Sequence, residues 1–208
     1  MKSKLALHTT SGELGISIAD GTEKPRSQFW DLGRDLGKYL HQKLAEFIKP
    51  KTWQDLEFIA VAKGPGSYTS TRIGIVTAKT LAQQLNIPVY GVSTLEILAW
   101  EEAKKSKVEK ILVQMKANQG EVFVGVYQIK PDKYLSVISS DKIISNEQWE
   151  EELNSYKTKF KDNYQLVVAP DKLGFTAPSL LEIASIRYEQ EKLNNVFSTW
   201  ENLTPFYQ

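Results

Sequence analysis

The chain has 208 residues, of which 41% are apolar, enough for one large or two small domains with a true core. Its 26 basic and 25 acidic residues leave a net charge of +1, so composition supplies no long-range attraction to nucleic acid or anionic lipid, and any link to RNA has to be local or indirect. Zero cysteines exclude disulfides, thiolate catalysis and thiolate metal sites, as expected of a cytoplasmic protein, and no apolar run suits a signal peptide or a membrane span.

Leu5 to His8 and Leu14 to Asp20 read as strands joined by Thr9-Thr10-Ser11-Gly12, with Leu14, Ile16 and Ile18 alternating against Gly15, Ser17 and Ala19. A third strand near Lys24 to Phe29 completes a meander. From Asp31 to Ile48 the period becomes helical, with Leu32, Leu36, Leu40, Leu44 and Phe47 along one side. The strand Phe58 to Ala62 follows, then a glycine-rich loop, a helix to about Leu85, the short strand Pro88 to Val92, and a helix opened by Ser93 with Glu96 at capping-box distance. The lysine-rich stretch 104–107 marks a boundary, dividing the chain into lobes 1–103 and 104–208. The second lobe reads as strands at Lys110 to Met115, Glu121 to Gln128 and Tyr134 to Ile138, a helix at Asn146 to Tyr156, a strand at Gln165 to Val168 and a helix from Pro178 to about Gln190. No repeat is visible at the level of residues, though both halves begin with strands.

The loop Gly64-Pro65-Gly66-Ser67-Tyr68-Thr69-Ser70-Thr71-Arg72 lies between a buried strand and a helix, where free backbone N–H groups can hold an anion. A phosphate loop needs Gly at 69 and Lys at 70, which here are Thr69 and Ser70, and the dinucleotide fingerprint fails because Thr69 takes its third glycine place. A tight turn with Ser67 or Thr69 as N-cap stands beside the ligand-contact reading.

Two helices invite a partner. Gly33, Gly37 and His41 share a row on the first; Gly74, Ala78 and Ala82 form a row of small residues on the second, which lets backbones approach closely. The second helix has two apolar sides, Ile75, Ala78, Ala82 and Leu85 on one and Ile73, Val76 and Leu81 with Thr77 and Thr80 on the other, more than one sheet has to cover. The partner-binding set expected from this pattern is Gly33, Gly37, Leu40, His41, Gly74, Thr77, Ala78, Leu81 and Ala82. Both sides being covered within the lobe is the alternative.

Chemistry is sparse. Neither His8 nor His41 has a second ligand at metal spacing, so no metal or cofactor is expected, and Gly64-Pro65-Gly66-Ser67 lacks the glycine of a nucleophile elbow. Glu101-Glu102 and Glu150-Glu151-Glu152 read as solvated helix surface, and the five tryptophans as scattered core anchors. No catalytic residue is assigned.

The run G-P-G-S-Y-T-S-T-R-I-G-I-V-T-A-K-T-L-A, with the hairpin, the two helices, Pro88-Val89-Tyr90-Gly91-Val92-Ser93-Thr94-Leu95 and the ending Pro205-Phe206-Tyr207, resembles the TsaB (YeaZ) family. The resemblance implies an α/β protein of the actin-like, sugar-kinase-like (ASKHA) class with two lobes, the second reduced. It implies a cytoplasmic, non-catalytic subunit that binds TsaD, the catalytic subunit that places a threonylcarbamoyl group on the adenosine beside the anticodon. It also implies a TsaE-like ATPase as a further partner and only indirect contact with tRNA, and the exposed apolar helix faces imply homodimers when the chain is alone. Gly64, Pro65, Gly66, Ser67, Thr69 and Arg72 match the family's motif loop. Departures are His8 where the family has aspartate, Ser70 for glycine, Lys116-Ala117-Asn118 for D-A-R, and Trp30-Asp31-Leu32-Gly33-Arg34 where the family has a histidine. Two other readings stay open: a small ATP-dependent transferase or peptidase with Ser67 or Thr69 as nucleophile or ligand, and a tRNA-binding module through Lys104, Lys105, Lys107 and Lys110.

Overall fold

The computed structural model describes residues 2–21, 24–118, 120–130 and 134–206. These form two compact units, Met1–Thr94 together with Asp171–Tyr207, and Leu95–Pro170.

In the first unit, β1 (Ser3–His8), β2 (Glu13–Asp20), β3 (Arg26–Asp31), β4 (Leu56–Ala62) and β5 (Val89–Val92) make one sheet in the order β3-β2-β1-β4-β5. The meander β1-β2-β3 is antiparallel, and β4 and β5 add on parallel to β1, by way of the long connections that parallel pairing requires. Leu5 and Leu7 on β1 and Ile59 and Val61 on β4 send their side chains to the face covered by α1 (Leu36–Phe47) and α2 (Tyr68–Leu85). Alternation sends Lys4, Ala6, His8 and Phe58 to the opposite face. There α5 (Ala177–Asn194) lies along β1, β2 and β4, burying Leu180, Leu181, Ala184 and Tyr188, whose ring stands 5.1 Å from Phe58.

The expected division at residue 104 therefore differs from the observed units. The chain after 170 returns to the first unit, because the apolar run of β4 is buried on both faces and needs a second cover.

The second unit holds α3 (Thr94–Ala103) from Leu95 onward, β6 (Lys110–Lys116), β7 (Glu121–Ile129), β8 (Leu135–Ser145), α4 (Asn146–Phe160) and β9 (Tyr164–Val168). Its sheet runs β8-β7-β6-β9, with β6-β7-β8 antiparallel and β9 parallel to β6. The first four strands of the other unit have the same order and senses, so the halves repeat in topology although not in residues. Leu112, Val122, Val124 and Val126 pack under Trp149 of α4, whose indole N–H donates to Gln114 Oε1 at 2.7 Å. β8 extends well past Ile138, up to a capping box in which Ser145 Oγ accepts from Gln148 N and Gln148 Oε1 accepts from Ser145 N. Among the described residues no helix is long and apolar enough to cross a membrane, and no three His, Asp or Glu side chains cluster to hold a metal ion.

Candidate partner-docking groove

The glycine-rich loop is laced to the β1–β2 turn. Ser67, at the N-cap position of α2, donates its backbone N–H to Thr10 O at 2.7 Å, so this N–H is unavailable to an anion. Gly66 has φ +156, and a Cβ there would stand 2.2 Å from Thr10 O, which explains why the chain turns on glycine at this point. Thr94 N donates to Gly64 O, and Phe206 N donates to Lys63 O, fastening the C-terminal segment beside the loop; Tyr207 lies outside the described residues. Gly64 and Pro65 are buried, whereas Gly66, Ser67, Thr69 and Arg72 are exposed. Ser67 Oγ donates to Ser70 Oγ at 3.1 Å, and Arg72 Nη1 donates to Tyr68 Oη at 3.0 Å with its guanidinium 5.3 Å from that ring's centre.

His8, at the end of β1, is fully buried, and neither ring nitrogen has a hydrogen-bond partner; nor do the buried hydroxyls of Thr9 and Thr71. Burial without a partner penalises the imidazolium and pulls the His8 pKa down from 6.5 to about 3. A neutral imidazole sealed from solvent can neither relay protons to the loop serines nor replace an aspartate as a magnesium ligand.

The second apolar side of α2 lies open beside α1. His41 and Leu44 of α1, Trp53 of the turn Trp53–Asp55, and Arg72, Ile73, Val76, Thr77, Thr80 and Leu81 of α2 line a groove of about 470 Å³. Val76 is 61% exposed in it, and Tyr68 is 60% exposed on the same helix one turn before Arg72. Val76 is thus a large aliphatic side chain left open to solvent within an apolar trough.

This arrangement corrects the set expected from the small-residue rows. Leu40, Gly74, Ala78 and Ala82 face the unit's own sheet and are buried; a Cβ on Gly74 would come within 2.0 Å of Thr9 Oγ1. Small residues there bring α2 close to β1, so they serve the interior. Gly33 is exposed but lies outside α1, in a short turn at φ +51 where its N–H donates to Gly12 O. Gly37 is exposed on α1, and a Cβ on it would touch Ile73 Cδ1 at 3.1 Å, so it sets the spacing of the two helices. His41, Thr77 and Leu81 do line the groove. Trp53 was not expected; its signal was the Thr52/Asp55 capping box that fixes the turn carrying it.

Of the lysines considered for tRNA, Lys104 and Lys105 both pair with Glu101, at 3.2 and 2.9 Å, and Lys110 pairs with Glu109 at 3.3 Å. Lys116 ends β6, and Ala117 and Asn118 form the turn into β7, exchanging backbone hydrogen bonds with Glu121.

Residues 40–170 match the family model described as TsaD: tRNA N6-adenosine threonylcarbamoyltransferase. The chain is 32% identical over 133 residues to the tRNA threonylcarbamoyladenosine biosynthesis protein TsaB of Buchnera aphidicola subsp. Schizaphis graminum, covering 62% of this chain and 63% of that one. It is 43% identical over 92 residues to the protein of the same description from Bacillus subtilis, covering 44% and 39%. In both cases the chain spans less than two thirds of the relative's own length. YeaZ from Pseudomonas aeruginosa superposes with a TM-score of 0.79 over 100% of both chains at 20% identity, a likeness of fold.

Proposed function

The chain belongs to the TsaD: tRNA N6-adenosine threonylcarbamoyltransferase family, among its TsaB (YeaZ) members, and from that premise we propose that it is a non-catalytic cytoplasmic subunit docking a TsaD-like catalytic subunit. The partner performs the transfer of the threonylcarbamoyl group to the adenosine beside the anticodon. A TsaE-like ATPase joins the assembly, tRNA is met through the partner, and in its absence two copies of this chain meet weakly at the same surface.

The observation carrying this reading is the open apolar trough between α1 and α2. One side of α2 is used by the sheet, through Thr71, Gly74, Ile75, Ala78 and Ala82, while Ile73, Val76 and Leu81 line a groove that none of the described residues of their own unit fills. The buried, neutral His8 supports the non-catalytic half of the proposal, since it offers no metal ligand and no base at the end of the first strand.

Val76→Lys tests the docking. The side chain is exposed, so the variant should keep its melting temperature, whereas a buried unpaired ammonium in the complex should weaken capture of the co-expressed TsaD-like subunit by about 100-fold or more. Undiminished co-purification would remove this surface from consideration. Calorimetry of the isolated chain with magnesium ATP tests the other half: neither a binding heat nor phosphate release is expected, and turnover by the chain alone would overturn it.

A further inference from the structure

Resting on the docking reading above, we infer that the groove is built for an apolar helix face that carries a carboxylate opposite Arg72, and that a second copy of this chain is the poorer occupant. The nine residues lining the groove include one permanent cation, Arg72, and no carboxylate. Besides Arg72, α1 carries Lys38 and Lys43 against a single acid, Glu46, and α2 has no acidic residue at all, its other cation, Lys79, donating to Leu203 O at 3.1 Å. Glu46 is already held by Gln42 Nε2 at 2.8 Å and Lys43 Nζ at 3.3 Å.

A two-fold pairing through this face would present the same surface to itself, bringing like charges together with no acid on either helix beyond the engaged Glu46 to meet them. A heterologous partner has no such constraint. Arg72 is also set up for recognition: its guanidinium lies 5.3 Å from the Tyr68 ring centre and donates one of its five N–H groups to the phenol oxygen, so the planar fork is pre-oriented at the end of an apolar trough. An arginine so placed, flanked by exposed Tyr68 and Val76, is the kind of anchor around which binding energy concentrates. The aliphatic contacts would supply area, and the Arg72–carboxylate pair would choose between the two occupants.

The sign of the salt effect separates the occupants. Affinity of the full chain for the purified TsaD-like subunit should fall at least about tenfold between roughly 50 mM and 500 mM NaCl, while self-association measured by sedimentation should be unchanged or strengthened by salt. Arg72→Met, which keeps an apolar stem, should lose about tenfold in affinity for the subunit at low salt and flatten the salt dependence, Arg72→Glu should lose more, and Arg72→Lys should keep the salt slope while losing part of the affinity. Circular dichroism should show all three folded, as befits an exposed side chain. Wild-type binding to the subunit with Arg72→Met within twofold of it would overturn the carboxylate and leave the docking surface standing; so would self-association that is tightest at low salt and lost in Arg72→Met. Failure of the wild-type chain to bind the subunit at any salt would instead overturn the docking reading and this inference with it.

Discussion

Acidification from pH 6.5 to 5 should remove about 2 kcal/mol of folding stability through His8 alone, at a slope approaching 1.4 kcal/mol per pH unit. The unfolded chain takes up the imidazole proton near 6.5, whereas the folded chain resists it down to about 3, so every unit of pH lost between those values favours the unfolded state. Stability is therefore complete above 6.5, declines steadily below it and levels off near 3, an accumulated loss of roughly 4 to 5 kcal/mol that would consume much of an ordinary domain's stability. Asp20 is held below its usual 3.8 by hydrogen bonds from Ser3 and Lys51, so its own contribution disappears only at lower pH. His8→Leu supplies the control. The substituted side chain fills similar space without two orphaned nitrogens, so stability at pH 7 should stay within about 1.5 kcal/mol of the original while the slope between pH 6.5 and 5 vanishes. Urea titrations across this range decide it: an equally steep profile in His8→Leu would place the proton uptake elsewhere.

What could be read in the sequence was the pattern of each element; what could not was which of two equivalent surfaces would be covered. The periodicity of α2 displayed both apolar sides, and the five residues assigned to its second side, Ile73, Val76, Thr77, Thr80 and Leu81, all line the groove. Gly74, Ala78 and Ala82 looked equally suited to a partner, because close helix approach asks for the same small side chains whether the neighbour is a strand of the same unit or another protein. Only the three-dimensional arrangement separates these cases, by placing Thr9 against Gly74. The return of α5 to the first sheet was hidden for a related reason. Phe58 to Ala62 is apolar at every position, which signals burial on both faces but says nothing about which later helix supplies the second cover. Similarly, Ser139-Ser140-Asp141-Lys142 has the composition of a turn, yet the partner strand β7 keeps it extended, with Lys142 paired to Val124 and Ser139 to Val126. His8 illustrates the opposite case. Its departure from the family's aspartate was legible at once, and its consequence, a buried imidazole forced to stay neutral, needed only its accessibility and partners.

Gly74→Ala should destabilise the protein by about 3 kcal/mol, although helix propensity on its own favours alanine by about 1 kcal/mol. The added Cβ would lie 2.0 Å from Thr9 Oγ1, 3.1 Å from Thr9 Cβ and 3.3 Å from its Cγ2. Rotating Thr9 gives only partial relief, because one of its three staggered states alone turns the Cβ hydrogen toward the helix, and the 3.1 Å approach of Thr9 Cβ remains in all of them. The hydroxyl lacks a partner, so removing it should cost little. Thr9→Ala should consequently be close to neutral alone, and the Gly74→Ala, Thr9→Ala pair should recover roughly 2 kcal/mol of the loss as a coupling energy between two touching residues. Chemical denaturation of the four proteins measures that coupling directly. Additive effects would mean that α2 shifts as a body to admit the methyl group. That shift would also reach Ile73 and Val76, one residue before and two after, so the same four proteins tested for capture of the TsaD-like subunit would report how tightly the buried side of α2 positions its exposed one.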